Sequence, residues 1–375
     1  MTLLHSLLLS LLPLLAPAVS DSIPAEVVEE EMVLKNGQIE LPGTFTLPAR
    51  CKDKVPAVVL VAGSGPNDRD ETLGPNKPFR DLAWLLAKEG IASLRYDKRT
   101  KVYGARSQEV SGGTMDFDSE VTDDALAAVK WLATQKHVKA DEIYVIGHSL
   151  GGMLAPRITK KAQGGVKGFV ALAAPARNLW ESALEQLEYV TQVQGATPEI
   201  AKKQSAILLA QMKRSVPRDY EVQAANYNQI EEAQTLKNAR MMFLFGGNDY
   251  QVTFKDFSLW QAAFFMRPEV KVCLLPELDH LMRPLPRKAV PQDYLHKGEI
   301  DKRVIELIKN FILEKNSNHQ SPKNHTQKPW SNTSSCSNSK PTCRLKPETK
   351  QLANSKRASR RSPPSFPPSE PSKSG

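Results

Sequence analysis

The chain has 375 residues, of which 41% are hydrophobic and 24% charged, the proportions of a soluble globular protein large enough for one big domain or two small ones. Its net charge of +9 would invite a nucleic-acid or membrane partner, but residues 316–375 hold 11 Lys+Arg against 2 Asp+Glu, and the rest of the chain holds 39 of each sign. The body is neutral, so the basic character belongs to the tail and gives the body no nucleic-acid partner.

Leu3 to Leu15 is almost wholly apolar, and small residues follow at Ala16, Ala18 and Ser20. This is the pattern of a secretion signal over residues 1–20, although its basic start is missing. The run falls short of the ~20 residues a membrane-spanning helix needs, and Pro13 would spoil a buried helix. The expectation is a secreted or periplasmic protein with no membrane span after signal removal.

Val28–Leu34 and Gln38–Leu47 alternate with polar residues and are predicted as an antiparallel edge. Residues 56–62 form an apolar run of the buried-strand type. The spacing of Phe79, Leu82, Leu85 and Leu86 predicts a helix over Pro78–Lys88. Ile91–Tyr96 reads as a strand, Asp118–Thr134 as a helix, Glu142–Ile146 as a short strand, Leu150–Lys161 as a helix and Phe169–Ala174 as a strand. The alternation then stops. Residues 179–237 show no strand pattern and contain two or more amphipathic helices, such as Ser182–Val193 and Pro198–Lys213. It resumes with strands at Arg240–Phe245 and Val270–Leu275, a helix near Phe254–Phe265 and a closing helix at Ile300–Leu313.

Alternating strands and helices predict an α/β fold, a mostly parallel sheet covered on both faces. The predicted organisation is a signal (1–20), a core in two parts (21–178 and 238–315), a helical cap inserted between them (179–237) and a basic Ser/Pro-rich tail (316–375). The tail has too few apolar residues to offset the entropy of ordering and is predicted to be disordered. Four cysteines are too few for a disulfide scaffold. Cys273 is expected in the core, and Cys336 and Cys343 would be free to pair in an exported protein. No Cys/His cluster has zinc spacing.

Gly147-His148-Ser149-Leu150-Gly151 matches G-x-S-x-G, with a predicted strand before it and a predicted helix after it. The sharp turn needs small neighbours, which Gly147, Gly151 and Gly152 supply. It presents the Ser149 hydroxyl at a helix N-terminus, where negative charge is favoured. A serine nucleophile needs a base, and the base an orienting carboxylate. Asp249 follows the strand Arg240–Phe245, and His280 follows Val270–Leu275, giving the chain order Ser, Asp, His.

The rivals are weaker. His148 lies within the turn and cannot act as base for its neighbour. His137 sits at the wrong end of the nucleophile strand, and His296 follows no strand. Asp279 adjoins His280, but neighbouring side chains in an extended loop point apart. For the oxyanion, the backbone N–H of Leu150 and that of Ser64, in the loop after residues 56–62, are the candidate donors.

Five ordered motifs now carry a resemblance. They are residues 61–71 (Val-Ala-Gly-Ser-Gly-Pro-Asn-Asp-Arg-Asp-Glu), residues 94–99 (Leu-Arg-Tyr-Asp-Lys-Arg), residues 147–152, residues 247–252 (Gly-Asn-Asp-Tyr-Gln-Val) and residues 278–280 (Leu-Asp-His). From about Val27 to Leu313 the chain resembles the α/β-hydrolase superfamily, and within it the bacterial carboxylesterases with a helical cap. The loop often begins His-Gly in that family and begins Ala62-Gly63 here. The resemblance implies ester hydrolysis without a cofactor, with Ser149 as nucleophile, Asp249 as acid and His280 as base; the expected substrate is a small-molecule ester of a small or medium acyl group. A peptidase, thioesterase or acyltransferase could use the same triad, because fold does not decide the bond cleaved. A non-catalytic binding role would rest on the tail, where Lys356-Arg357 and Arg360-Arg361 lie.

Overall fold

The computed structural model describes residues 22–314. The expected signal, the basic tail, Cys336 and Cys343 lie outside those residues. Eight strands form one sheet: β1 (Val27–Asn36), β2 (Ile39–Pro48), β3 (Val55–Val61), β4 (Ala92–Tyr96), β5 (Val138–His148), β6 (Gly168–Leu172), β7 (Arg240–Gly246) and β8 (Lys271–Leu275). Their spatial order is β1-β2-β4-β3-β5-β6-β7-β8. β1 pairs antiparallel with β2, and β2 with β4. The remaining pairs are parallel. The antiparallel edge and the parallel body both follow the residue pattern. β1 alternates buried and exposed positions, whereas β3, β6 and β7 are buried on both faces and carry unbroken apolar runs.

Cys273 departs from expectation. It is half-buried, because β8 ends the sheet and has a neighbour on one side only.

Helix α1 (Pro78–Lys88) starts with proline at its first turn and buries Phe79, Leu82 and Leu86. The helix expected from Asp118 begins instead as a wider π turn over Asp118–Thr122, which passes into α2 (Asp123–Ala133). Helix α3 (Leu150–Lys161) follows β5 directly.

Four helices fill the stretch between β6 and β7: α4 (Leu179–Val193), α5 (Pro198–Ser215), α6 (Arg218–Asn226) and α7 (Gln229–Thr235). Asn178 caps α4 through Glu181 N–H, and Thr197 caps α5 ahead of Pro198. These helices are tied to the sheet side by specific polar bonds. Gln229 Nε2 donates to the carbonyls of Pro175 and Arg177 at 3.0 and 2.7 Å, and Tyr189 Oη donates to Ala289 O at 2.9 Å.

Helix α8 (Phe254–Ala263) covers β7. Its Trp260 is fully buried, stacks on Phe243 with ring centroids 4.2 Å apart, and donates its indole N–H to Ala174 O. The last helix, α9 (Lys302–Leu313), starts two residues later than its apolar pattern because Asp301 caps it, accepting from Arg303 N–H.

Candidate active site

The C-terminal ends of β3, β5, β7 and β8 converge on one cavity lined by Gly63, Ser64, His148, Ser149 and His280. β5 runs into Ser149, which stands at φ 53° and ψ −115°, a conformation L-residues avoid. The turn closes only because its neighbours lack side chains. A Cβ on Gly147 would sit 2.2 Å from Gly151 O, and one on Gly151 would sit 2.1 Å from Val61 O. Ser149 N–H donates to Leu172 O at 2.9 Å, which anchors the turn on β6. Leu150 is the first residue of α3, so its N–H has no partner within the helix.

Asp249 leaves β7 and accepts through Oδ1 from the N–H groups of Gln251 and Val252, at 2.6 and 3.1 Å. Its Oδ2 lies 2.6 Å from His280 Nδ1, and both side chains are buried. Asp279 is engaged elsewhere: Oδ2 accepts from Arg283 Nε and Nη2 at 2.9 and 2.7 Å, and Oδ1 from two backbone N–H groups. The structure thus brings Asp249, and not Asp279, onto His280. His296 is exposed, and His137 sits just before β5, at the end of the strand opposite Ser149.

The residue pattern gave no sign of a second buried histidine pair. His148 Nδ1 lies 3.0 Å from Glu71 Oε1, and His148 Nε2 lies 2.9 Å from the carbonyl oxygen of His280. Both partners are acceptors, and Glu71 Oε1 also accepts Gly63 N–H at 2.7 Å. His148 Nε2 therefore donates to the His280 carbonyl, and Nδ1 pairs with the Glu71 carboxyl. Burial works against the charge on each member, but each partner outweighs it: the Glu71 carboxyl is held below its usual range and His148 above its own. Glu71 itself sits at φ 53°. A second buried pair joins Lys98 Nζ to Glu120 Oε1 at 2.8 Å, and Lys98 also donates to Gly63 O at 2.9 Å. Glu71 and Lys98 both lie in sequence motifs of the site, yet 77 residues separate Glu71 from His148, and no local spacing announces the pairing.

Facing Ser149, α4 contributes Leu179, Ser182, Ala183 and Gln186 to the cavity wall. Among the described residues, no group of three or more His, Cys, Asp or Glu could hold a metal ion, and no helix is long and apolar enough to cross a membrane.

A mostly parallel sheet that delivers a strained serine from strand to helix defines an α/β-hydrolase. The chain belongs to the Hydrolase_4 family, described as serine aminopeptidase S33, whose pattern matches residues 77–253. It is 39% identical over 303 residues to Esterase EstD of Thermotoga maritima, covering 78% of this chain and 70% of that protein. Among solved structures, a Bacteroides ovatus chain of dipeptidyl aminopeptidase IV type matches with a TM-score of 0.50 at 18% identity; the match covers 76% of this chain and 35% of that one. The Pyrococcus furiosus esterase Pf2001 matches with a TM-score of 0.49 at 16% identity, over 76% of this chain and 89% of that one. At these identities the structural likeness is one of fold alone.

Proposed function

We propose that the chain is a serine carboxylesterase acting on small or medium acyl esters, with Ser149 as nucleophile, His280 as base and Asp249 as orienting acid. The observation that carries this reading is the 2.6 Å contact between Asp249 and His280 Nδ1, in a cavity that also holds Ser149. Asp249 keeps the proton on Nδ1, which leaves Nε2 free to take one from Ser149. Ser149 Oγ attacks the ester carbonyl as His280 takes its proton. The resulting oxyanion accepts from Ser64 and Leu150 N–H, and collapse expels the alcohol, protonated by His280. Water, deprotonated by His280, then attacks the acyl-enzyme, and the carboxylic acid leaves Ser149. No step draws on a metal or cofactor.

The likeness to Esterase EstD supports an ester as the bond cleaved. The family description favours a second reading, hydrolysis of aminoacyl amides by the same residues. Turnover of p-nitrophenyl acetate and butyrate, acyl-CoA thioesters and aminoacyl p-nitroanilides at matched concentrations separates the two. Ser149→Ala should lose on the order of 10⁴-fold or more in kcat on the preferred substrate, and a fluorophosphonate should modify Ser149 in the wild type. Equal turnover by Ser149→Ala would reject the mechanism.

We read residues 179–237 as a cap over the site, and residues 1–20 as a signal that directs secretion or periplasmic export. N-terminal sequencing of the exported protein tests the latter, which predicts a mature chain starting at Val19 or Asp21.

A further inference from the structure

Gly63 and Ser64 are joined by a trans peptide, so the Gly63 carbonyl and the Ser64 N–H lie in one plane and point in opposite directions. Whatever fixes that carbonyl therefore aims that N–H. The carbonyl accepts from Lys98 Nζ at 2.9 Å and from Asn67 Nδ2 at 3.0 Å, one donor for each lone pair. On its other side, Gly63 N–H donates to Glu71 Oε1 at 2.7 Å. The approach to the nucleophile is close: a Cβ on Gly63 would lie 3.1 Å from Ser149 Cβ and 3.2 Å from Glu71 Oε1.

The charged groups that hold Gly63 are dry. Lys98 and Glu120 side chains are 4% and 0% exposed, and those of His148 and Glu71 are 8% each. Buried ion pairs contribute little net stability, because desolvation offsets their attraction, and well-packed apolar side chains serve stability as well or better. Here one charge from each pair is directed at one of the two polar atoms of a single glycine beside Ser149.

We propose that the buried pairs Lys98–Glu120 and Glu71–His148 are positioning pairs. They lock the Gly63–Ser64 peptide with its N–H aimed at the oxyanion, and the Lys98 ammonium, drawing on the carbonyl oxygen, makes that N–H a stronger donor. His148 extends the same device to the base, because its Nε2 holds the carbonyl of His280. The proposal rests on reading Ser149 as the nucleophile and Ser64 N–H as an oxyanion donor. Its effect belongs to the transition state, so it should show in kcat and not in KM.

The test is steady-state hydrolysis of p-nitrophenyl butyrate by the full chain. Lys98 and Glu120 are replaced together, as Lys98→Met with Glu120→Gln, because replacing one alone leaves an uncompensated buried charge. Loss of one complete oxyanion donor typically lowers turnover about 10²–10³-fold. Misaiming the donor should lower kcat about 10-fold to 100-fold, with KM within about twofold. Glu71→Gln with His148→Gln, paired for the same reason, probes the other side and should give the same split; it carries the test alone if the first double variant does not fold.

Wild-type kcat in either folded variant, or a loss confined to KM, would overturn the positioning role. Ser149→Ala is assayed alongside. If it is inactive while the pair variants turn over at the wild-type rate, the positioning proposal fails and the serine mechanism stands. If it is fully active, both fail.

Discussion

His148 Nε2 lies 2.9 Å from the carbonyl oxygen of His280, so the residue before the candidate nucleophile holds the loop that carries the candidate base. Their rings lie 4.6 Å apart, centroid to centroid. The G-x-S-x-G turn therefore fixes the backbone of the histidine that is to serve it, as well as presenting the serine. This relationship makes the site a single packed unit, and each of its parts gives a distinct expected response to substitution.

The two neighbouring acids should fail in different ways. Asp249→Asn keeps the shape but reverses the hydrogen-bonding sense at His280 Nδ1, and kcat should fall about 10⁴-fold with the fold intact. Asp279→Asn leaves Arg283 buried without its carboxylate, and should cost about 3–5 kcal/mol of stability. Urea unfolding beside ester turnover separates them; a stable, inactive Asp279→Asn together with an active Asp249→Asn would reverse the assignment.

The glycines of the turn are fixed by space. Gly147→Ala and Gly151→Ala each drive a methyl group into backbone within 2.2 Å, and should destabilise by about 3 kcal/mol or more, or abolish soluble expression. Gly90→Ala meets no atom within 4 Å and is strained only by its positive φ, so it should cost about 1 kcal/mol. Melting temperatures of the three variants check the order.

Acid sensitivity should have an identifiable contributor in Asp118. Burial raises its pKa, but hydrogen bonds and charge from Arg157 and Lys161 outweigh that and bring it down to about 2. A depressed carboxyl stabilises the folded state above its unfolded pKa, near 3.8, and the contribution is lost as pH falls through about 2. The site is half open to solvent, so screening leaves about 1 kcal/mol at neutral pH. Asp118→Asn should be less stable than wild type by that amount at pH 7 and equal to it below pH 2, as read by denaturant titration at each pH.

The wall opposite Ser149 should tune acyl length. Ala183 on α4 is buried and lines the cavity. Ala183→Leu should lower kcat/KM for octanoate esters at least about 10-fold more than for acetate esters, in line with the ~1–3 kcal/mol that pocket volume can discriminate. Parallel kcat/KM series on p-nitrophenyl esters measure it, and a uniform loss at all lengths would remove α4 from the acyl pocket.

The sheet was legible because burial on both faces leaves a plain signature. The run at residues 56–62 and the strand at Arg240–Phe245 need no context to read; Asp249 stands just beyond the end of the latter, and His280 just beyond the end of β8. The half-buried state of Cys273 was not legible, since an apolar run does not say which strand lies at the edge. The π turn at Asp118–Thr122 was hidden because it carries the same apolar spacing as the helix it opens. His148 adjoins Ser149 in the turn and cannot serve as its base. Its actual partners, Glu71 and the His280 carbonyl, lie 77 and 132 residues away, and one of them is a backbone atom that no residue type encodes.

The saturation of Gly63 has a consequence for how the molecule comes apart. Its N–H and carbonyl tie the loop after β3 to Glu71, to Lys98 beyond β4 and to Asn67; through Glu71 the tie reaches His148 at the end of β5, and through His148 the loop after β8. None of these segments can swing out without stranding a charge in the interior. Loops that carry chemistry usually belong to the softest part of a fold. Here the shared bonds should make them one cooperative block with the sheet beneath, so that amide exchange in these loops follows the opening of the core.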